Sequence, residues 1–386
     1  MRIPLAVPHL FGNEKRYLAE CVETNFVSSV GPFVERFEEE FARAVGAKQA
    51  VACVNGTAAL HLAMCVLGVG PGDEVFVPTF TFIASVNPIA YEKAAPVFVD
   101  CEARTWNLDP ELVVREIRRR ARLALSLPKA VEVVHILGHP ADIEPIIDVC
   151  EEFNIPVIED AAESLGATYR SGRFAGKAVG SIGTIGCFSF NGNKIITAGG
   201  GGMLATDDNA LARKARHLST QARQPGAEYW HDEIGYNYRL TNTAAALGLA
   251  QLEQLPEFLA RKREITARYD RMFASVRGIS LPPRAPWADP SMWMYCVLVD
   301  ANQFGRDRNG LMAGLQRAGI ESRPLWAPIH RMPMYSQCAL LGEHVAENIF
   351  KQGLALPCSV GLTKTDQDTV IDSVLSRAAE VFHEAS

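Results

Sequence analysis

Between residues 50 and 160, short apolar runs alternate with amphipathic segments of helical length. The runs at 50–54, 74–77, 96–100, 130–136 and 155–158 have the length and composition of strands, and 58–67, 110–125 and 143–153 read as helices between them. Such βαβ units build a parallel sheet with helices on both faces, an α/β fold. Open sheets of this kind hold their ligands just beyond the carboxyl ends of the strands. The residues that follow each run are therefore where chemistry is expected.

Two of those places carry reactive side chains. The run IPVIEDAAES ends an apolar strand at Glu159 and Asp160, with Glu163 close behind. Further on, CFSFNGNKIITAGGGG sets Lys194 between the apolar FSF and the four glycines Gly199 to Gly202, which permit positive φ or close backbone approach. A loop lysine is usually a solvated charge. The apolar flanks here favour a desolvated amine, which has a lowered pKa and a free lone pair. An amine and a carboxylate so placed suit pyridoxal phosphate (PLP): the amine condenses with the cofactor's aldehyde, and the carboxylate keeps the ring nitrogen protonated. A one-residue slip of strand register exchanges Asp160 for Glu159 in that role. After the first strand, Asn55-Gly56-Thr57 turns into a helix, so Gly56, Thr57 and Ala58 are candidates to hold a phosphate with unpaired amides. Many βα turns of this composition bind nothing.

Composition narrows the function classes. With 386 residues, 48% hydrophobic and 21% charged, the chain can bury the core of one large and one small domain. A net charge of −6 without a long basic run argues against nucleic acid, and Arg118, Arg119, Arg120 and Arg122 read as the solvated face of a helix. No apolar stretch reaches the roughly 18 residues of a membrane helix, and the start does not read as a signal peptide, so no membrane association and a cytoplasmic location are expected. The nine cysteines are scattered and lack a CxxC pair, so they are expected to be reduced and mostly buried. His135 and His139 have no nearby set of metal-ligand spacing, and no metal is expected. Residues from about 241 to 274 read as one long helix, the proline-rich 280–290 as a connector, and the remainder as a smaller α+β unit.

EDAAES, FSFNGNK, the following GGGG, GYNYR at 235–239 and RPLW at 323–326 resemble the DegT/DnrJ/EryC1/StrS sugar aminotransferases, and the resemblance covers essentially the whole chain. It implies fold type I of the PLP enzymes: a large domain with a mixed, mostly parallel sheet between helices, plus a smaller α+β C-terminal domain. The implied divisions are 1–30 (an arm and a helix packing toward the small domain), 31–250 (the PLP-binding domain) and 251–386. It also implies roles. Lys194 and Asp160 are catalytic, Phe82 stacks on the cofactor ring, and Glu163 lies near the ring oxygen and amino group. Ser189 holds the phosphate, and Asn237 reaches the phosphate of a dimer partner. Arg239 lies at that shared site, and Trp326 and His330 contact the substrate. The residues alone equally fit Phe82 and Phe80 as core, 235–239 as a capped turn before a helix, and the RPLW loop as mere packing.

The resemblance further implies L-glutamate as amino donor, a nucleotide-linked keto-sugar as acceptor and a homodimer with shared sites, serving bacterial surface glycan synthesis. VHILGHP, CFSFNGNKIIT, STQAR and LPCSVGLT are most similar to 4-aminotransferases of UDP-2-acetamido-2,6-dideoxy-4-hexulose, those leading to bacillosamine and legionaminic acid. IPLAVPHLFGNE and VSSVG are shared with GDP-perosamine synthases, which makes GDP-4-keto-6-deoxymannose the competing acceptor; a 3-keto-sugar is a further alternative. A Rossmann oxidoreductase is disfavoured, because Gly199 to Gly202 precede a strand and a GxGxxG fingerprint opens a helix. A non-catalytic member is expected to lack Lys194 or Asp160, and both are present.

Overall fold

The computed structural model describes residues 2–226 and 228–384, with the backbone alone for 377–384. Strands β1 (Gln49–Cys53), β2 (Glu74–Pro78), β3 (Ala95–Val99), β4 (Ala130–Val134), β5 (Val157–Asp160), β6 (Thr168–Tyr169), β7 (Ile185–Ser189) and β8 (Gly202–Thr206) come from the first 206 residues. They are followed by β9 (Ile279–Ser280), β10 (Ala288–Asp289), β11 (Tyr295–Val299), β12 (Arg323–Pro324), β13 (Leu340–Leu341) and β14 (Gly353–Leu356). The main sheet runs β1-β8-β7-β5-β4-β2-β3-β13. Only β8 is antiparallel to its neighbours, β1 and β7; every other pairing is parallel. The central strands are buried on both faces, which is why they read as continuous apolar runs rather than alternating ones.

Helices cover both faces. On one side α3 (Gly56–Val66), α4 (Ile83–Tyr91) and α7 (Asn209–Ser219) bury the face made by Val75, Val77, Ile158, Ile185 and Leu204. On the other, α2 (Pro32–Val45), α5 (Pro110–Arg122), α6 (Glu144–Phe153) and α8 (Asn242–Leu252) pack on the opposite set. The alternation in β7 explains FSF: Phe188 and Phe190 meet Phe37 and Phe41 of α2 at centroid distances of 4.9–5.4 Å, and Ser189 between them faces the other way.

A four-stranded antiparallel sheet, β12-β14-β11-β9, forms a second layer with its own core of Tyr269, Tyr295, Val297, Leu354 and Leu356. The N-terminal arm lies along it, with Ile3 bridging Ile320 and Leu5 accepting from the Cys358 amide at 3.1 Å. Helix α1 (Glu14–Glu23) does not follow the arm: it packs on α8, with the Tyr17 hydroxyl donating to Glu253 at 2.6 Å. Likewise Leu340–Leu341, well inside the 251–386 stretch, return to the edge of the main sheet beside β3.

Two local expectations change, and one unassigned segment proves helical. The 241–274 helix is two helices, α8 and α9 (Leu255–Phe273), because Pro256 at the start of α9 has no N–H to continue the earlier ladder. β4 stops at Val134 instead of 136, since the chain turns at Leu137 with φ +55°. A helix also forms at Ile83–Tyr91 despite Pro88, whose neighbourhood the sequence left unassigned.

All nine cysteines are free, and seven of them are buried. Among the described residues no helix is long and apolar enough to cross a membrane.

Candidate active site

The carboxyl ends of β1, β2, β4, β5 and β7 open into one cavity of about 590 Å³. Its size lies in the usual range for a small-molecule site, roughly 300–1,000 Å³. Asp160 ends β5 on its floor and is almost fully buried. The Ser85 hydroxyl donates to Asp160 Oδ2 at 2.7 Å, and the Ala162 amide donates to Oδ1 at 3.0 Å. Burial pushes the Asp160 carboxyl up, and those two donors together with Lys194 only partly oppose it. Glu159, the register alternative, points to the opposite face. There its carboxylate is bound by His135 Nε2 at 3.0 Å and by the amides of Gly180, Ile182 and Gly183 at 2.6–2.8 Å, so it is a structural anion.

Lys194 stands in the loop between β7 and β8, folded back by the Phe190 amide to Gly201 O at 2.9 Å and the Ala198 amide to Phe190 O at 2.9 Å. Gly199 (φ +76°) and Gly201 (φ +108°) turn the chain, and a Cβ on Gly202 would meet the Asn55 carbonyl carbon at 2.5 Å. The glycines thus let the loop close onto the end of β1. The Lys194 ammonium lies 3.8 Å from Glu163 Oε1 and 4.0 Å from the centre of the Trp293 ring, with the side chain 14% exposed. Burial lowers its pKa against the pull of Glu163 and Asp160. Glu163 is pushed up to about 7 by burial, offset by Lys194 and by the Leu137 amide, which donates to Oε2 at 2.7 Å.

An aromatic wall faces this group. Trp326 lies 6.2 Å from Trp293, nearly parallel, and 6.2 Å from Phe82, which is half exposed to the cavity. Phe80 is core. Trp293 is fixed from both ends: its indole N–H donates to Asn193 O at 2.6 Å, and Lys262 Nζ donates to its carbonyl at 2.8 Å.

The cavity fits PLP. A Cβ on Gly56 would sit 2.8 Å from Ser189 Cβ, so only glycine lets the first turn of α3 close on Ser189. The leading amides of Gly56 and Thr57, which a helix leaves without intrahelical acceptors, and the Ser189 hydroxyl there form an anion cradle. Among the described residues no lysine or arginine forms an ion pair with Asp160 at the floor, and a protonated ring nitrogen would supply such a cation.

Other expected residues fall elsewhere. Ala58 is buried and its amide donates to the Asn55 side chain at 2.8 Å, so the helix cap takes the donor once expected for phosphate. His330 is off the cavity wall, held by Thr79 Oγ1 at 2.7 Å and 3.7 Å from Glu347. Asn237 and Arg239 lie outside this chain's cavity, on a loop packed along the end of β1, and Asn237 is exposed. Ser85, Leu137 and Trp293 were not expected as site residues. Ser85 is foreshadowed only by its place after β2. His61, Cys65 and Glu92 bring ligand-type atoms within 4.8 Å of one another, and His61 is already engaged by Glu92 at 2.7 Å and Tyr238 at 3.1 Å.

Residues 9–375 match the family described as the DegT/DnrJ/EryC1/StrS aminotransferase family. The chain is 42% identical over 387 residues to the putative pyridoxal phosphate-dependent aminotransferase EpsN of Bacillus subtilis, covering 99% of this chain and 96% of that protein. It is 44% identical over 371 residues to a GDP-perosamine synthase of Caulobacter vibrioides, covering 96% of each. The PLP form of the putative sugar aminotransferase Spr1654 from Streptococcus pneumoniae superposes with a TM-score of 0.87 at 26% identity, covering 99% of this chain and 100% of that one.

The Lys194 environment makes a measurable prediction. Peptide-mapped amine modification as a function of pH should give Lys194 a midpoint below that of surface lysines, and Glu163→Gln should lower it further by removing a neighbouring negative charge. A midpoint equal to that of surface lysines in both proteins would contradict the desolvated site.

Proposed function

Because the chain belongs to the DegT/DnrJ/EryC1/StrS aminotransferase family, we propose that this sugar aminotransferase uses PLP to move the amino group of L-glutamate to a nucleotide-linked 4-keto-6-deoxy sugar. The observation that carries the reading is the convergence of Lys194, Asp160, Glu163, Gly56 and Ser189 on one cavity. Bound PLP supplies an aldehyde that condenses with an amine and a ring that accepts electrons from a carbon losing its proton.

The protein's side chains do the rest. Lys194 provides the amine, which burial keeps from holding its proton as tightly as a surface lysine. Glu163, at 3.8 Å, is the nearest base to receive that proton. With PLP bound, the Lys194 amine would carry a proton between the donor's α-carbon and the former aldehyde carbon. Asp160, braced by Ser85 and the Ala162 amide, would hold the ring nitrogen's proton. Gly56, Thr57 and Ser189 would hold the phosphate, Phe82 would cover the ring, and Trp326 would border the sugar. His330 supports that loop through Thr79.

Asn237 and Arg239 are assigned to the neighbouring subunit's site in a two-fold dimer. The exposed apolar Tyr229, Trp230 and Ile234 beside them support burial of this loop by a partner.

For the acceptor we take a UDP-linked N-acetyl-4-keto-6-deoxyhexosamine. The second reading is GDP-4-keto-6-deoxymannose, supported by the relative named GDP-perosamine synthase.

With PLP and L-glutamate, the purified protein should convert the UDP-linked keto-sugar to an amino-sugar nucleotide detectable by mass spectrometry. Lys194→Ala should reduce turnover by roughly 10³-fold or more. Turnover of the GDP-linked sugar alone selects the second reading, and turnover of neither overturns the acceptor class. Coexpressed Lys194→Ala and Asn237→Ala chains, each poorly active by itself, should regain activity through hybrid dimers with one intact site. No recovery in isolated hybrids would contradict shared sites.

A further inference from the structure

Glu132 is a glutamate in the middle of the apolar strand β4, fully buried, and neither of its carboxylate oxygens has a hydrogen-bond partner among the described residues. A carboxyl so placed is costly to charge and costly to leave unpaired. The reaction as derived above does not use it, and packing gives no reason for it where Ala130, Val131, Val133 and Val134 make up the rest of the strand.

Its position has a direction. In the parallel pairing of β4 with β5, Glu132 stands opposite Ile158 and Val134 opposite Asp160. The period of two therefore puts Glu132 and Asp160 on the same face of adjacent strands, with Glu132 one layer below the floor of the cavity. Asp160 is the charged neighbour that bears on it. Beyond it on this face lie the buried thiols of Cys187 on β7 and Cys53 on β1. From the covering elements, Ser85 of α4 is committed to Asp160, His61 of α3 to Glu92 and Tyr238, and the Tyr335 hydroxyl donates to Asn87. No lysine or arginine among these neighbours compensates a charge on Glu132.

We propose that Glu132 is a positioning residue for the reaction, acting through Asp160: the two carboxyls titrate as one buried pair that holds a single proton and a single negative charge. Two desolvated carboxylates on one sheet face cannot both ionise at neutral pH. The proton rests on Glu132, which has no donors, and the charge on Asp160, which has two. Asp160 is thereby left as the anion of the pair, facing the cavity. This function for the pair rests on the reading of Asp160 as the cofactor's acid. The shared proton itself does not, and it is measurable in cofactor-free protein.

The sign follows from linkage. Burial and Asp160 hold the Glu132 carboxyl above its ordinary value of 4.5, so above that pH the folded chain keeps a proton that the unfolded chain has lost. Glu132 therefore costs stability increasingly as pH rises, until it ionises in the folded state. Thermal melts of the cofactor-free protein from pH 5 to 9 should show Glu132→Gln above the wild type in Tm, with the gap widening by about 1–3 °C per pH unit. Glu132→Ile serves as a second variant if the amide is poorly accommodated. In an Asp160→Asn background the same comparison should stop widening at lower pH and end in a smaller gap, because the neighbouring negative charge is gone. A gap that does not change with pH, or one that Asp160→Asn leaves untouched, overturns the shared proton. If the coupling is present but cofactor-loaded Asp160→Asn keeps full activity, it is the reading of Asp160 that fails.

Discussion

The site depends on taking one amine out of water. Lys194 lies against the Trp293 ring, 3.8 Å from a carboxylate that itself prefers a proton, in a loop whose neighbours Ile195, Ile196 and Ala198 are core. Desolvation favours the neutral amine, and the residual pull of Glu163 and Asp160 keeps the shift moderate. Maintaining that balance constrains much of the surrounding chain. The loop must fold back on β7 and β8, which requires positive φ at Gly199 and Gly201 and bare backbone at Gly202. Trp293 must be held, and it arrives from the segment leading into the second sheet, anchored by Lys262 of α9. Both layers of the molecule therefore meet at a single nitrogen.

The two acids beside it are tuned by different means. Asp160 keeps donors on both oxygens, one from a helix on the far side of the β2 turn and one from its own following turn. Glu163 has one backbone donor, offered by Leu137 at a positive φ unusual for a branched apolar residue. Gly138, next to it, leaves room for Ser291 and Trp293, with a Cβ there falling 2.6 Å from Ser291 Oγ. The turn after β4 thus joins Glu163 to the segment that carries Trp293 into β11. Strained backbone at such a junction is what a site pays for elsewhere in stability.

How much of this was legible in the sequence depends on whether the signal was local. The strand ends that place Asp160, the FSF alternation that turns Ser189 away from two core phenylalanines, and the glycine run after Lys194 are all readable from spacing and residue type. On the far face Glu159 is met by His135, 24 residues upstream, a pairing that no local pattern encodes. Ser85, Leu137 and Trp293 act through contacts between segments distant in sequence, so only the fold reveals them. Ala58 was misplaced for a local reason, since Asn55 is a helix cap and spends its side chain on that amide. The break between α8 and α9 was available in Pro256, and the apolar periodicity on both sides outweighed it. Nothing in the sequence distinguishes His330 as a support for Thr79 from a residue on the cavity wall, because one turn of chain separates the two outcomes.

The central claim is that Lys194 is the amine that bonds the cofactor. It is tested most directly by incubating the protein with PLP, reducing with borohydride, and mapping the added pyridoxyl mass by peptide mass spectrometry. The account predicts the label on Lys194 alone at one equivalent per chain, displaced beforehand by L-glutamate. A label on Lys262, the other buried lysine near Trp293, or spread evenly over surface lysines, would contradict it.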